Sequence, residues 1–218
     1  MKPFIIAAAL SLGLCSCTES TPVVQITSLK LPSATCEVQL TAPGIARGSL
    51  NVGVGRSYVL AFLVNNTYLQ TGIEIGDSPL EPGDGTGGAG TAFIKSLRLS
   101  YATSPNLSLP DGVVNYTAGL SPSSEDNILV ANLLTAEAAQ KLADNVAAGE
   151  DVEVSVTAQF AGEFSASGKK FETNEVVYSF RVFNAPVTIP ACEPDEVPDP
   201  VAPCGQAGGQ DGIYPKCQ

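Results

Sequence analysis

The sequence predicts a mainly β protein built as an antiparallel β-sandwich. Short runs of alternating apolar and polar residues recur along most of the chain, and clusters of Gly, Pro, Asn and Ser separate them. A single segment instead has apolar residues at helical spacing. We therefore expect seven or eight short strands, one short connecting helix and an extended tail.

Six candidate strands precede the helix. Residues 57–64, SYVLAFLV, are apolar on both faces, which is typical of a central strand covered on two sides. In residues 93–101, FIKSLRLSY, strict alternation places Phe93, Lys95 and Leu97 on one face, with the lysine near its rim. The other candidates are residues 23–29, 36–40, 113–120 and 128–134.

The segment LTAEAAQKLADNVAAGE predicts the helix, over about residues 135–148. Thr135 is a residue type that caps helix starts, and Gly149 is one that ends helices. The apolar positions recur every four residues, at Leu134, Ala138, Leu142 and Val146. We expect this helix to connect two strands across an end of the sheets.

The strongest strand signal follows the helix. Residues 152–160 and 175–183 both alternate cleanly, and turn residues separate them, so we expect an antiparallel pair. With the earlier strands, this pair predicts an immunoglobulin-like sandwich over residues 23–185. From Pro186 on, Pro, Gly and acidic residues replace the alternating pattern. Residues 186–218 should therefore form an extended Pro/Gly-rich tail that cannot build a core of its own.

The N-terminus, MKPFIIAAALSLGLCSC, has the pattern of an export signal. A basic residue precedes eleven apolar or small residues, 4–14, a run too short to span a bilayer as a helix. The following Leu14-Cys15-Ser16-Cys17 resembles the lipobox of bacterial lipoproteins. The resemblance implies that residues 1–16 are a signal peptide, that Cys17 receives the lipid and that residues 17–22 form a tether.

Two observations favour this frame over cleavage before Cys15. The alternative frame would place bulky Leu14 where a small residue is expected, and it would strand Cys17 as an unpaired thiol. The lipobox further implies a lipid-anchored protein of the cell envelope, and Thr18 after the lipidated cysteine favours the outer membrane. The whole chain is similar in style to uncharacterised myxobacterial-type envelope lipoproteins, which imply no activity.

The remaining four cysteines predict two disulfides, because export implies an oxidising compartment. They are Cys36, Cys192, Cys204 and Cys217, and they allow three pairings. We favour Cys36 with Cys192, which would tie an early strand to the end of the last one. Cys204 would then pair with Cys217 in a short loop that orders the tail alone.

Composition excludes several classes of function. The net charge of −11 argues against nucleic acid as a partner, because such binding needs Lys and Arg to neutralise phosphates. The chain has no histidine, which removes Ser-His-Asp and Cys-His sites and the usual zinc and copper ligands. We expect no metal and no cofactor.

Other motifs carry weak signals. The loop GDGTGGAG at 83–90 matches a dinucleotide fingerprint but lacks the preceding strand and following helix, so a loop is the expected structure. Asp77, Glu81 and Asp84 flank this loop and are the only calcium candidates, at a spacing that matches no known calcium loop. The adjacent Glu125 and Asp126 are poorly placed for a glycosidase pair.

The sequence therefore predicts a lipid-anchored cell-envelope β-sandwich with a binding or structural role and no catalytic activity. Its expected partners are the membrane, through the lipid on Cys17, and a protein or polymer of the envelope. The alternative is a carboxylate-based extracellular hydrolase, glycosidase-like, on the same scaffold. Two acidic residues converging in one pocket would favour the alternative, and acidic residues scattered over solvent would favour the first function.

Overall fold

A computed structural model of the protein describes residues 21–68, 73–75, 78–80, 90–165, 167–188, 191–197, 199, 201 and 203–218. The chain is mainly β, as predicted. The elements in chain order are β1 Val24–Lys30, β2 Arg47–Asn51, β3 Val59–Asn66, β4 Ile73–Ile75, β5 Ser78–Leu80, β6 Ala92–Ser104, β7 Gly112–Leu120, β8 Ser124–Asn132, α1 Ala136–Asn145, β9 Asp151–Phe164, β10 Lys170–Glu172 and β11 Val176–Phe183.

The strands form two main sheets and a small hairpin. The small sheet has the order β1-β3-β8, and the large sheet has the order β2-β11-β9-β6-β7, with β10 paired to β9. Strands β4 and β5 pair with each other. All neighbours are antiparallel except β2, which runs parallel to β11. The consecutive strands β7 and β8 lie in different sheets, so the chain crosses between the sheets at that point.

The apolar faces of the two main sheets pack against each other. Phe62 of β3 meets Phe160 of β9 edge-on, with ring centroids 5.2 Å apart. Tyr58 precedes β3 and stacks on Phe180 of β11 at 4.3 Å. The buried residues of both sheets and of α1 form one continuous hydrophobic cluster. This is a sandwich-like arrangement; its assignment as immunoglobulin-like stays a prediction.

The predicted pair of late strands is confirmed. Strands β9 and β11 are antiparallel neighbours, with Val154 opposite Phe180 and both fully buried. In β6, however, the predicted common face of Phe93, Lys95 and Leu97 is wrong. The register of β6 with both neighbours shifts between residues 94 and 96, so Leu97 is buried while Phe93 is 40% exposed.

The helix begins where the sequence predicts. The side-chain oxygen of Thr135 accepts from the N–H of Ala138 at 3.2 Å, which caps the first turn. The helix ends at Asn145 with Val146 as its C-cap, so the predicted end at residue 148, with Gly149 as the terminating residue, is wrong. Gly149 lies in the turn that follows, with a φ of 85° that suits glycine. No helix in the described ranges is both apolar and long enough to cross a membrane.

The predicted strand over residues 36–40 is wrong, and β2 takes its place later in the chain. Cys36 has a φ of 64°, which an extended strand cannot accommodate, and its N–H donates to Ser33 in a turn. Strand β2, RGSLN, is short and contains Gly and Ser, which have weak strand preference. Its parallel pairing with β11, together with an antiparallel bridge between Leu50 and Gln210 of the tail, makes it a strand.

The two disulfides join different partners from those predicted. All four cysteines are bonded, but Cys36 pairs with Cys204 and Cys192 pairs with Cys217, so the predicted pairs Cys36–Cys192 and Cys204–Cys217 are wrong. The reason is that the tail folds back on the domain. The N–H of Cys204 donates to the carbonyl of Ser33 at 2.7 Å, in the same turn that holds Cys36.

The tail is attached to the sandwich by buried polar contacts. None of its described residues belongs to the continuous hydrophobic cluster, but Gln210 is 1% exposed. Its side chain accepts from the N–H of Val59 at 2.8 Å and donates to the carbonyl of Val59 at 3.0 Å. The expectation that a disulfide within the tail orders the tail alone is therefore wrong, because Cys204 ties the tail to the domain.

We expect loss of the Cys36–Cys204 bond to destabilise the domain strongly. The bond spans 168 residues, and the chain-entropy estimate for such a loop is about 5 kcal/mol. The control is removal of Cys192–Cys217, which spans 25 residues and for which the same estimate is about 3.5 kcal/mol. Thermal unfolding of both Cys→Ser double variants checks the order. A larger melting loss in the control, or a non-reducing peptide map joining Cys36 to Cys192, would contradict it.

Candidate binding site

The solvent face of the large sheet carries the ion pairs of the described part of the chain. Each pair joins two strands of this sheet or a strand and β10, and each is largely exposed, so it contributes little to stability. The pairs are Arg47–Glu153, Lys95–Glu163, Arg98–Glu172 and Arg181–Asp151.

The middle of this face is uncharged. Strand pairing aligns Ser100 of β6, Thr157 of β9 and Val177 of β11 in one row across the sheet. In the neighbouring row, Ser155 and Ser179 lie within hydrogen-bonding distance, at 2.8 Å. Small polar side chains thus separate the ion pairs at one end of the face from those at the other.

A groove of ≈ 500 Å³ opens beside this uncharged centre. Strands β6, β7 and β9 form its floor and one wall, and the link between β10 and β11 contributes Glu175. Its lining combines charged, polar and apolar residues: Arg98, Leu99, Ser100, Asp111, Gly112, Val113, Thr157, Gln159 and Glu175.

Some polar groups of the groove are already engaged. The Arg98 guanidinium is ion-paired with Glu172. The Asp111 carboxylate accepts from the backbone N–H of Tyr101 at 3.0 Å, and the Gln159 amide donates to a backbone carbonyl at 3.0 Å. These contacts hold the three side chains in place at the rim and floor of the groove.

Other polar groups of the groove have no protein partner among the described residues. They are the hydroxyls of Ser100 and Thr157 and the carboxylate of Glu175. A ligand in the groove would therefore meet two hydroxyls, one unpaired carboxylate and the exposed Val113 side chain. Such a surface suits a polar ligand that donates hydrogen bonds and covers one small apolar patch.

A second cluster of polar groups is buried where the tail meets the sheets. The Tyr58 hydroxyl lies 3.0 Å from both carboxylate oxygens of Asp211, to which it donates, and 3.0 Å from the Tyr178 hydroxyl. Asp211 also accepts from the N–H of Ser49 at 2.8 Å. Gly48 is required here, because a Cβ at its position would lie 1.7 Å from the Tyr58 hydroxyl.

The ionisation of this cluster follows from its burial. Burial raises the pKa of the Tyr58 hydroxyl far above its usual range, and the hydrogen bond to Tyr178 and the charge of Asp211 raise it further. Burial also raises the pKa of Tyr178, while its hydrogen bond to Tyr58 opposes the rise. Both hydroxyls stay protonated at neutral pH, so they can donate the hydrogen bonds that hold the tail against the sheets.

The residues named from sequence lie elsewhere. Cys17 and the calcium candidates Asp77, Glu81 and Asp84 fall outside the described residues. Glu125 and Asp126 are exposed on β8, in the small sheet, and do not line the groove.

Sequence reasoning did not find the groove. The available signal was the uncharged Thr157 and Gln159 on the polar face of β9, between Glu153 and Glu163. Within the described ranges, no three acidic or cysteine side chains cluster as metal ligands would.

Comparison of the chain with protein-family models, with curated proteins and with solved structures returned no match.

We expect the stability of the protein to fall above about pH 10, where tyrosines ionise in the unfolded chain. Because the pKa of Tyr58 is raised in the folded state, its contribution is complete below that pH and is lost as the pH rises further. In the Tyr58→Phe variant, the free energy of unfolding should fall less steeply with rising pH, by up to about 1.4 kcal/mol per pH unit. Denaturant unfolding between pH 8 and about pH 11 measures it; equal slopes in both proteins would contradict the assignment.

Proposed function

We propose that this protein is a non-enzymatic binding module of the cell envelope, anchored to the outer membrane by lipid on Cys17, on its periplasmic face or at the cell surface. The groove on the solvent face of the large sheet is its proposed binding surface. The observation that carries the proposal is the set of unengaged polar groups in that groove, beside side chains that internal contacts hold in place.

The proposed anchor rests on the sequence Leu14-Cys15-Ser16-Cys17 and its apolar, singly charged upstream segment. If Cys17 carries the lipid, six residues separate it from the first residue of β1, Val24. An extended chain of that length covers at most about 25 Å. The sandwich would then stay close to the bilayer surface, and its partner would be a component of the same envelope.

The disulfides are consistent with a location in the cell envelope but do not establish it. Two bonds formed by four of the six cysteines are expected of a protein that folds in an oxidising compartment. One joins the tail to the domain, and the other joins two positions within the tail.

The charge of the groove indicates the kind of partner. Its one arginine is neutralised by Glu172, while Glu175 has no ion-pair partner among the described residues, and the whole chain has a net charge of −11. Such a surface attracts groups that are positively charged or that donate hydrogen bonds. We infer a partner that presents amines, amides or hydroxyls, which both proteins and envelope polymers supply.

The alternative function is a carboxylate-based hydrolase. The observation that bears on it is that Asp111 and Glu175 line the same groove. The Asp111 carboxylate is already held by the N–H of Tyr101, which fits a structural role better than a catalytic one. Release of sugars from envelope polysaccharide by the protein, abolished in the Asp111→Asn, Glu175→Gln variant, would favour the hydrolase.

We expect the mature protein to begin with lipidated Cys17. Mass spectrometry of the N-terminal peptide should find a diacylglyceryl group on that residue, and Cys17→Ser should abolish incorporation of labelled fatty acid. The matched control is Cys15→Ser, which should leave labelling unchanged because that residue lies in the removed segment. Labelling lost in the Cys15 variant and retained in the Cys17 variant would contradict the proposed frame.

We expect an arginine in the groove floor to block binding to the envelope. The probe is the isolated cell-envelope fraction, and the readout is cosedimentation of the protein. Thr157→Arg should weaken binding about ten-fold or more, because the long cationic side chain fills the groove and pairs with Glu175. Thr27→Arg, the same exchange on the exposed face of β1, is the control. Equal binding of the two variants would show that the groove is not the binding surface.

A further inference from the structure

The two main sheets end in four edge strands, β1, β8, β2 and β7, and they are protected to different degrees. Edge strands expose unpaired backbone N–H and C=O groups, which pair readily with another strand. At the β2 edge, the tail provides the cover. The N–H of Asn51 donates to Gly209 at 2.9 Å, and the carbonyl of Ser49 accepts from Asp211 at 2.8 Å.

At the β1 edge, the side chain of Asn174 bonds to the strand backbone where a neighbouring strand would otherwise bond. The Asn174 amide donates to the carbonyl of Ile26 at 3.1 Å, and its oxygen accepts from the N–H of the same residue at 2.8 Å. Further along β1, the carbonyl of Leu29 accepts from the N–H of Ile45 at 3.1 Å. At the β8 edge, the Tyr116 hydroxyl donates to the carbonyl of Val130 at 3.0 Å.

The first half of β7 lacks such a cover. Its residues 112–115 pair in regular register with β6, and no other described residue bonds to their backbone. The register shift opposite residues 94–96 begins only after Asn115, so this half is not bent away from a partner. Residues 112–115 form a bare strand edge, and we call them the β7 edge.

The composition of β7 also permits pairing with another strand. Its sequence, GVVNYTAGL, contains no charge and no proline, the two devices that usually protect an edge. Val113 is 66% exposed and Val114 is 37% exposed. Because neighbouring strand residues point to opposite faces, an added strand would find an apolar contact on each face of the sheet.

We propose that the β7 edge pairs with the same edge of a second copy of this chain, in an antiparallel, two-fold symmetric dimer. A second copy fits because the strand is uncharged: pairing it with itself brings no like charges together within the strands, although each chain carries −11. The unpaired backbone N–H groups of one copy donate to the unpaired carbonyls of the other, and Val113 and Val114 contact apolar neighbours. The two large sheets become one continuous sheet with both grooves on its solvent face.

Such a contact is short, so the dimer should be reversible and dependent on concentration. Sedimentation velocity of the full chain in density-matched detergent should show a monomer–dimer equilibrium at concentrations on the order of 100 μM. Amide hydrogen exchange should slow as the concentration rises at those residues among 112–115 whose N–H groups point away from β6, because these groups become paired in the dimer. A protein that sediments as a monomer throughout this range would overturn the proposal.

The same charged substitution, made once on β7 and once elsewhere on the solvent face of the large sheet, tests whether the dimer contact lies at the β7 edge. Val113→Glu on the edge strand should weaken the dimer about ten-fold or more, because it places two like charges near the symmetry axis. Val177→Glu is the matched control: its valine is 64% exposed on the same face, but it lies in β11, which β6 and β9 separate from β7. Asn115→Glu repeats the test if Val113→Glu melts at a lower temperature. Equal dissociation in the edge variants and the control would overturn the assignment to β7.

Discussion

The alternation of strand β9 is the constraint on which both the core and the outer face depend. This strand, the longest in the described part of the chain, lies between β6 and β11 and also holds β10. Its inward residues, from Val152 to Phe160, are almost completely buried. Its outward residues hold the ion pairs of Glu153 and Glu163 towards the two ends of the face and the groove floor between them. A slip of one residue would exchange these two sets and destroy both surfaces at once.

The elements that could be predicted are those specified by local pattern. Strands β9 and β11 alternate so strictly that their pairing followed, and Thr135 marked the start of α1 within one residue. The errors concern distant parts of the chain. Strand β2 exists only because β11 and the tail lie beside it, and Cys36 finds Cys204 only after the tail has folded back.

The groove could not be predicted from the sequence for the same reason, because its residues come from distant parts of the chain. Its lining joins three strands and the link after β10, and no spacing in the sequence brings Asp111 near Glu175. The register shift in β6 also changed which residues face solvent, since it buries Leu97 and exposes Phe93. A pattern of period two cannot reveal where one residue has been inserted into the ladder.

The bond between Cys36 and Cys204 determines how the protein responds to mechanical load. Tension between residues 21 and 218 passes along residues 21–36, crosses the disulfide and continues along residues 204–218. Strands β2 to β11 lie inside the closed loop and carry no direct force; only β1 and the docked tail can be pulled away. Full extension of that path gives about 100 Å, compared with roughly 650 Å for the unlinked chain. Under oxidising conditions the disulfide limits how far load can lengthen the protein, and reduction removes that limit.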